Sequence, residues 1–349
     1  MSEALIRQIT DTDYTGLAEF LSAFPGDEKA PEQWQQRFRY WWDDNPAFDE
    51  SWTRGFVIVD SGSIVGFVGS FPTLFKCGEQ VVKAFNGTTW RVLPDYRNLS
   101  IELWIKNREI SNQIMSFNTT PTDIVIKLIS KLNYRLLPWG SEQESLYVLN
   151  PSVYTHKVFN SWFPVISPLI GVGVNLKQAM VRKATKGKYA YKTLPGTDIS
   201  FDELWERTKD TFAYTNVRTA DSVQWYSINS ILIGIYHEDS LQGYALATEN
   251  DINNVKELYV ADLWLFPGIE LHKAISGLVD FVIGIAKIRD CSMVRFPHFT
   301  EKLAVAYKKK GLLHKKINRR NYYRLPSSLQ IDFTSDNSYF TLLQGDYGI

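Results

Sequence analysis

The feature that most restricts this chain is a pattern that occurs twice. "GFVIVDSGSIVGFVGSF" reads as a strand, a tight polar turn and a second strand, and "ILIGIYHEDSLQGYALAT" has the same form further on. Setting Gly66 against Gly243 gives an offset of 177 residues. "WRVLPDY" against "LWLFPGI" brings Pro94 to Pro267 at 173, and "LISKLNYRLLP" against "AYKKKGLLHKK" brings Asn133 to Gly311 at 178. Landmarks in one order at nearly one offset point to a tandem repeat, so one plan must be built twice. The 349 residues suit two units of about 150–180 residues each. We read a first copy at 1–150, a connector at 151–190 and a second copy at 191–349.

Periodicity fills in each copy. "PEQWQQRFRYWWDDNP" is a helix opened by proline, with Trp34, Phe38 and Trp41 on one apolar face. Alternating patterns predict strands at 55–60, 64–72 and 81–93. A helix over 99–109, a strand at 112–118, a helix over 121–132 and strands within 134–149 complete the first copy. The second copy reads as strands at 230–236, 241–248 and 255–265, a helix over 269–288 and a strand at 291–296. A helix over 299–310 and strands at 312–325 and 338–343 follow. The expected class is α+β: two tandem domains, each a mixed, largely antiparallel sheet flanked by helices.

Composition excludes several functions. The 38 basic and 38 acidic residues cancel, so no global field favours nucleic acid or an anionic membrane. The two cysteines form no disulfide framework, and no Cys/His cluster has metal-site spacing. "MSEALIRQITDTDY" lacks an apolar signal core, which points to the cytoplasm. Val158 to Leu176 carry no charge over nineteen residues, but two prolines and two glycines make them a poor membrane helix. They read as a buried connector, with membrane contact disfavoured.

The order of elements, with "VLPDYR" at Val92–Arg97 and "FNTTPTDIVIKLISKLNY" at Phe117–Tyr134, resembles the Gcn5-related N-acetyltransferase (GNAT) fold in tandem. The family loop is V-x-P-x-Y-R-G-x-G-x-G/A, followed by a helix, a strand and N-x-x-A-x-x-x-Y-x-x-x-G-F. Asn118 stands at the family Asn, and Asn133-Tyr134 where Gly-Phe is usual. The glycine positions hold Asn98, Ser100 and Glu102 instead. "YR-x-x-S" before a leucine-containing helix resembles a variant subgroup of tandem GNAT-like proteins, many linked to surface polysaccharide gene clusters. The second copy has "LWLFPGIELHK", without the Arg or the glycine spacing, and reads as degenerate.

The resemblance implies an acyl-CoA-dependent N-acyltransferase, with acetyl-CoA or another acyl-CoA as donor. Its pyrophosphate would lie on the loop amides and the helix N-terminus. The implied donor-binding residues are Val92, Leu93, Arg97, Asn98, Leu99, Ser100 and Ile101, with Ser100 capping the helix and Arg97 clasping phosphate. The backbone near Val92–Leu93 would face the oxyanion. For the chemistry we single out Asn118, Asp262 and Tyr307. Asp262, a carboxylate inside the apolar "LYVADLWLF", is a candidate to hold the acceptor amine. Tyr307 falls at the tyrosine position that protonates a leaving thiolate, where the first copy has Ile129. The implied acceptor is a small-molecule amine, in the polysaccharide setting an amino sugar or sugar nucleotide. Two other readings stay open: a donor delivered by an acyl carrier protein, and a non-catalytic binding or assembly protein.

Overall fold

A computed structural model describes residues 4–25, 29–119, 121–137, 143–151, 153, 187–252, 255–317 and 320–345. The connector expected at 151–190, including Val158–Leu176, lies almost wholly outside these residues.

The first copy begins with strand β1 (Leu5–Gln8) and helices α1 (Tyr14–Ser22) and α2 (Pro31–Phe38). A capping box between Thr10 and Asp13 starts the turn before α1, and Pro31 opens α2. The last turn of α2 widens into a π-helical turn, Arg39–Asp43, and the expected apolar face, Trp34, Phe38 and Trp41, is buried. Strands β2 (Gly55–Asp60), β3 (Ser63–Cys77) and β4 (Gln80–Val92) form a meander. The β2–β3 turn places both Ser61 and Gly62 at positive φ, the geometry that a two-residue hairpin requires. Helix α3 (Ser100–Glu109), β5 (Ser116–Asn118), α4 (Asp123–Ile129), β6 (Arg135–Leu136) and β7 (Gln143–Val148) follow. Thr122 caps α4 by accepting the Val125 N–H.

The second copy repeats the order with two added strands. Strand β8 (Ala190–Leu194), α5 (Ile199–Thr208), β9 (Tyr214–Asn216) and α6 (Ala220–Tyr226) precede β10 (Ile231–His237), β11 (Ser240–Ile252) and β12 (Val255–Leu265). Then come α7 (Leu271–Ile288), β13 (Met293–Pro297), α8 (Glu301–Lys310), β14 (Leu313–Lys316), β15 (Tyr322–Arg324) and β16 (Ser338–Tyr339).

Two sheets result, with strand orders β1-β2-β3-β4-β5-β15-β6 and β8-β10-β11-β12-β13-β7-β14. Each is mixed and largely antiparallel, as expected. The glycine landmarks hold equivalent places in the pairing: Gly66 pairs with Ile58 and Val92, and Gly243 with Ile235 and Leu265. Asn133 and Gly311 are both left-handed residues that end helical turns. The strand order also shows something the periodicity hid. The sixth strand of each sheet comes from the other half: β7 sits between β13 and β14, and β15 between β5 and β6.

The exchange is pinned by buried charge. Arg295 of β13 donates to Glu257 of β12 at 2.7 and 3.1 Å and to Glu144 of the incoming β7. The halves also share one apolar core, where Tyr40 stacks on Trp225 at 4.7 Å and accepts its indole N–H at the carbonyl. Strand β9 joins the far end of β3 and carries β16 with it.

Candidate functional site

Strands β4 and β5 run parallel and separate almost at once. They pair only at Phe85–Ser116 and Asn86–Phe117, after which β5 ends and β4 continues to Val92. Just past the fork, the β3–β4 register jumps from Gly69–Thr88 to Val68–Trp90. Thr89 is the extra residue, a β-branched side chain at φ +39°. A bulge re-aims backbone groups, and a strained non-glycine residue is the kind of feature that collects at working sites.

The wedge between the strands holds a cavity of about 880 Å³, within the range of small-molecule sites. Phe85, Gly87, Phe117 and Tyr134 line it near the fork, and Thr88 to Val92 along β4. Helix α3 contributes Ser100, Ile101, Trp104, Asn107 and Arg108, α4 contributes Ile124 and Val125, and Asn118 stands at the end of β5. Trp90 and Trp104 face each other at 6.1 Å. Arg91, Arg97 and Arg108 bring three cations, and among the described lining residues there is no carboxylate and no histidine. Such a lining attracts anions.

The loop from Leu93 to Ser100 is a 3₁₀ turn, Pro94–Leu99, running straight into α3. Its amides are largely spent internally. Leu93 donates to the Val65 carbonyl at 2.9 Å, Tyr96 to Leu93 at 3.0 Å, and Ser100 to Arg97. Tyr96 Oη donates to Asp60 at 2.5 Å, tying the turn to β2. The expectation that Ser100 caps the helix is therefore corrected: Leu99 holds the N-cap position without a side-chain bond, because the turn already satisfies the first N–H groups. Anion handles here are side chains. The Arg97 side chain is exposed and has no hydrogen bond or ion pair among the described residues. Because Leu93 is committed to β3, strand alternation turns the Val92 N–H toward the open edge.

No protein-family model matches the sequence, and no curated protein matches it. Solved structures match its shape. A GCN5-related N-acetyltransferase from Kribbella flavida is 12% identical, with a TM-score of 0.55 over 93% of this chain and 71% of that one. The N-myristoyltransferase of Saccharomyces cerevisiae with bound myristoyl-CoA is 11% identical, with a TM-score of 0.60 over 96% and 88%. A conserved protein of unknown function from Enterococcus faecalis, described as a probable N-acyltransferase, is 10% identical, with 0.60 over 93% and 73%. The fold is that of the Gcn5-related N-acetyltransferases.

Within that GNAT plan the expected site residues divide. Val92, Arg97, Ser100, Ile101 and Asn118 meet in the first wedge. Leu93 packs into the apolar cluster under α3. Asn98 and Leu99 line a separate cleft of about 640 Å³ beside Leu5, together with Glu102. Glu102, whose charge would repel an anion, thus lies outside the basic groove.

Asp262 and Tyr307 belong to the second GNAT copy, and neither lines the groove. There β12 and β13 part after Tyr259–Arg295, and a bulge at Ala261 matches the one at Thr89, so Asp262 occupies the place of Trp90. That second wedge is filled. Asp262 is fully buried, with Oδ1 accepting from Arg218 at 3.1 Å and Oδ2 from Arg218 at 3.3 Å and Tyr244 at 2.7 Å. Arg218 also donates to Thr215 Oγ1 at 2.7 Å and lies 4.4 Å over Trp264. Burial alone would lower its pKa, but the charge of Asp262 beside it raises it overall. Both Asp262 oxygens are thus engaged by the protein itself, which corrects the expectation that they hold an amine. Tyr307 is equally enclosed, between Phe296 and His298, and burial pushes its phenol up. No thiolate reaches it there.

Sequence reasoning missed Thr89, Trp90, Trp104, Tyr134 and Asn107. The bulge leaves no mark in the pattern. Asn107 did leave one: in "SIELWIKNRE" it follows Leu103 and Trp104 on the inner face of α3, a polar residue in an apolar stripe. It is 3% exposed; its Nδ2 donates to the Gly69 carbonyl at 3.3 Å, and its Oδ1 has no partner. Tyr134 receives a hydrogen bond from Ser116 at 3.2 Å, which leaves its own proton to donate.

Among the described residues no helix is long and apolar enough to cross a membrane, and no group of three His, Cys, Asp or Glu is placed to hold a metal ion.

Proposed function

We propose that this chain is a cytoplasmic N-acyltransferase that takes an acyl group from a CoA thioester in the first wedge and transfers it to an amine. Residues 1–150 supply the donor groove, and 191–349 act as its structural partner. The observation that carries this reading is the open wedge beside a bulged strand, with three arginines and no carboxylate among its described lining residues. Arg97, Arg91 and Ser100 would hold the donor's phosphates, and the aromatic and threonine lining would hold its arm. The amine nitrogen attacks the thioester carbon, the C–S bond breaks, and an amide and a thiol result. Charge that grows on the thioester oxygen meets N–H groups of β4 beside the bulge at Thr89. Tyr134, held by Ser116, is placed to give the departing sulfur its proton. Among the described lining residues there is no carboxylate or histidine to act as base, so the amine arrives neutral or loses its proton to water.

The finer choices rest on the resemblance. We propose an acetyl or short acyl group as cargo and an amino sugar or sugar nucleotide as acceptor. One observation favours delivery by an acyl carrier protein instead. Ile101, Ile105 and Ile124 are 49%, 42% and 79% exposed, and the first and last line the groove, an apolar rim among basic residues. A clear preference for acyl carrier over free acyl-CoA as donor would establish that version. Thermal unfolding of the purified chain with millimolar acetyl-CoA tests the main reading. We expect a rise in Tm, and no rise would leave a binding or assembly protein as the better account.

A further inference from the structure

We infer that Asn107 reads the pantetheine arm of the donor, accepting a hydrogen bond at Oδ1 from the amide N–H nearest the sulfur. This rests on the proposed thioester groove and names the chemical class its donor must have. Three observations support it.

The first is the state of Asn107 itself. It lines the groove, it is almost wholly buried, and its Oδ1 is unpaired. Its orientation is not free, because turning the amide over would set Oδ1 against the Gly69 carbonyl that Nδ2 now binds. A buried acceptor without a donor is costly, and such atoms in native proteins call for an explanation. A ligand N–H supplies one.

The second is distance. Asn107 lies seven residues beyond Ser100 on α3, which is about 10.5 Å along a helix. An extended chain gains roughly 1.1–1.2 Å per bond, so the second pantetheine amide lies about 10–11 Å from the phosphate oxygen. A phosphate held near Arg97 and Ser100 therefore brings that amide level with Asn107.

The third is what lies beyond. Asn107 is bonded to Gly69, and Gly69 pairs with Thr88 beside the bulge. Thr88 is four residues back from Val92 on β4, about 13–14 Å of strand. The arm's sulfur, about three bonds past the second amide, lies roughly 14 Å from the phosphate on the same scale. Helix and strand thus agree: phosphate at the mouth, amide at Asn107 and sulfur at the bulge.

The test is a binding cycle on the full chain, read by calorimetry without turnover. CoA and a CoA analogue with the sulfur-proximal amide replaced by an ester, which lacks the N–H, are titrated into the wild type and N107L. We expect the ester analogue to bind the wild type about 5- to 10-fold more weakly than CoA, and N107L to bind both alike. Equal binding of the two ligands to the wild type overturns the inference without needing the variant to fold. An equal penalty in both proteins also overturns it, since the N–H is then read elsewhere. Absence of any CoA binding to the wild type sinks the donor groove itself, a result distinct from the other two.

Discussion

The two halves build the same wedge and use it in opposite ways. In each, a parallel strand pair parts and a one-residue bulge follows, at Thr89 in one and Ala261 in the other. Counting from the bulge, Trp90 corresponds to Asp262 and Gly87 to Tyr259. The first wedge is left open by a glycine and lined with arginine and aromatic side chains. The second is closed by an internal ion pair and by Tyr339, whose hydroxyl donates to the Leu263 carbonyl. Backbone geometry makes the opening in both; side chains decide whether a ligand or the protein occupies it.

The largest consequence falls on the filled wedge. Asp262→Ala strands Arg218 as a fully buried charge, and breaking such a pair costs about 3–5 kcal/mol. Urea unfolding of the full chain should show that loss. Replacing Arg218, Asp262 and Tyr244 together by Met, Leu and Phe should recover most of it, since desolvation of the pair offsets its attraction. If Asp262→Ala lost under 1 kcal/mol but abolished acyl transfer, the assignment of the two wedges would be reversed.

A second effect is set by pH. His298 accepts or donates at Ser145 Oγ over 2.8 Å and faces His314 at 5.2 Å and Tyr307 at 5.9 Å. Burial, and then the charge of His314, lower its pKa to about 4 from the ordinary 6.5. The folded value lies below the unfolded one, so the unfolded chain takes the proton first. The contribution is complete above pH 6.5 and is lost as pH falls toward about 4. It amounts to at most about 3 kcal/mol. Urea midpoints measured across this window should fall with acid, and His298→Gln should flatten the slope. An unchanged slope in the variant would assign the acid sensitivity to other groups.

These contrasts also show how far the residues alone could lead. The repeat, the meanders and most helices, though not α5 and α6, were legible because period and turn chemistry are local, as with Ser61-Gly62 and with Gly311 ending α8. The exchange of β7 and β15 was not. "QESLYV" alternates in the same way whichever sheet receives it, and pairing partners are a long-range choice. Arg97, Ser100 and Asn118 could be named together as candidates because they stand at positions of one family pattern, and all three line the first wedge. Asp262 misled, because a carboxylate in an apolar strand signals a partner without saying whether the partner is a substrate or Arg218. Arg218 itself lies 44 residues from Asp262, beyond any local pattern.

The open wedge can be closed on purpose. A Cβ on Gly87 would meet nothing nearer than Phe85 Cε1 at 3.6 Å, an ordinary contact. Gly87→Val should therefore change stability by under about 1 kcal/mol while its methyls enter the space of the donor. We expect CoA binding to weaken by about 30-fold or more, equivalent to about 2 kcal/mol. This single change gives the first wedge a side chain where the second already has Tyr259. Unaltered CoA affinity would place the donor outside the groove.

The smallest effect separates the loop from the wedge. Arg97 is exposed and unpaired among the described residues, so Arg97→Ala should leave the urea midpoint almost unmoved. Its role is tested by affinity at two salt concentrations. A guanidinium on a phosphate near the surface should add about 10-fold to CoA binding at low ionic strength, and much less at 0.5 M salt, where screening is short-ranged. The variant should lose that salt dependence along with the affinity. If it lost affinity equally at both concentrations, packing of the Arg97 stem would be the better explanation. If it lost none, the glycine-poor turn would hold its ligand through Arg91 and Arg108, deeper along the wedge than the motif suggests.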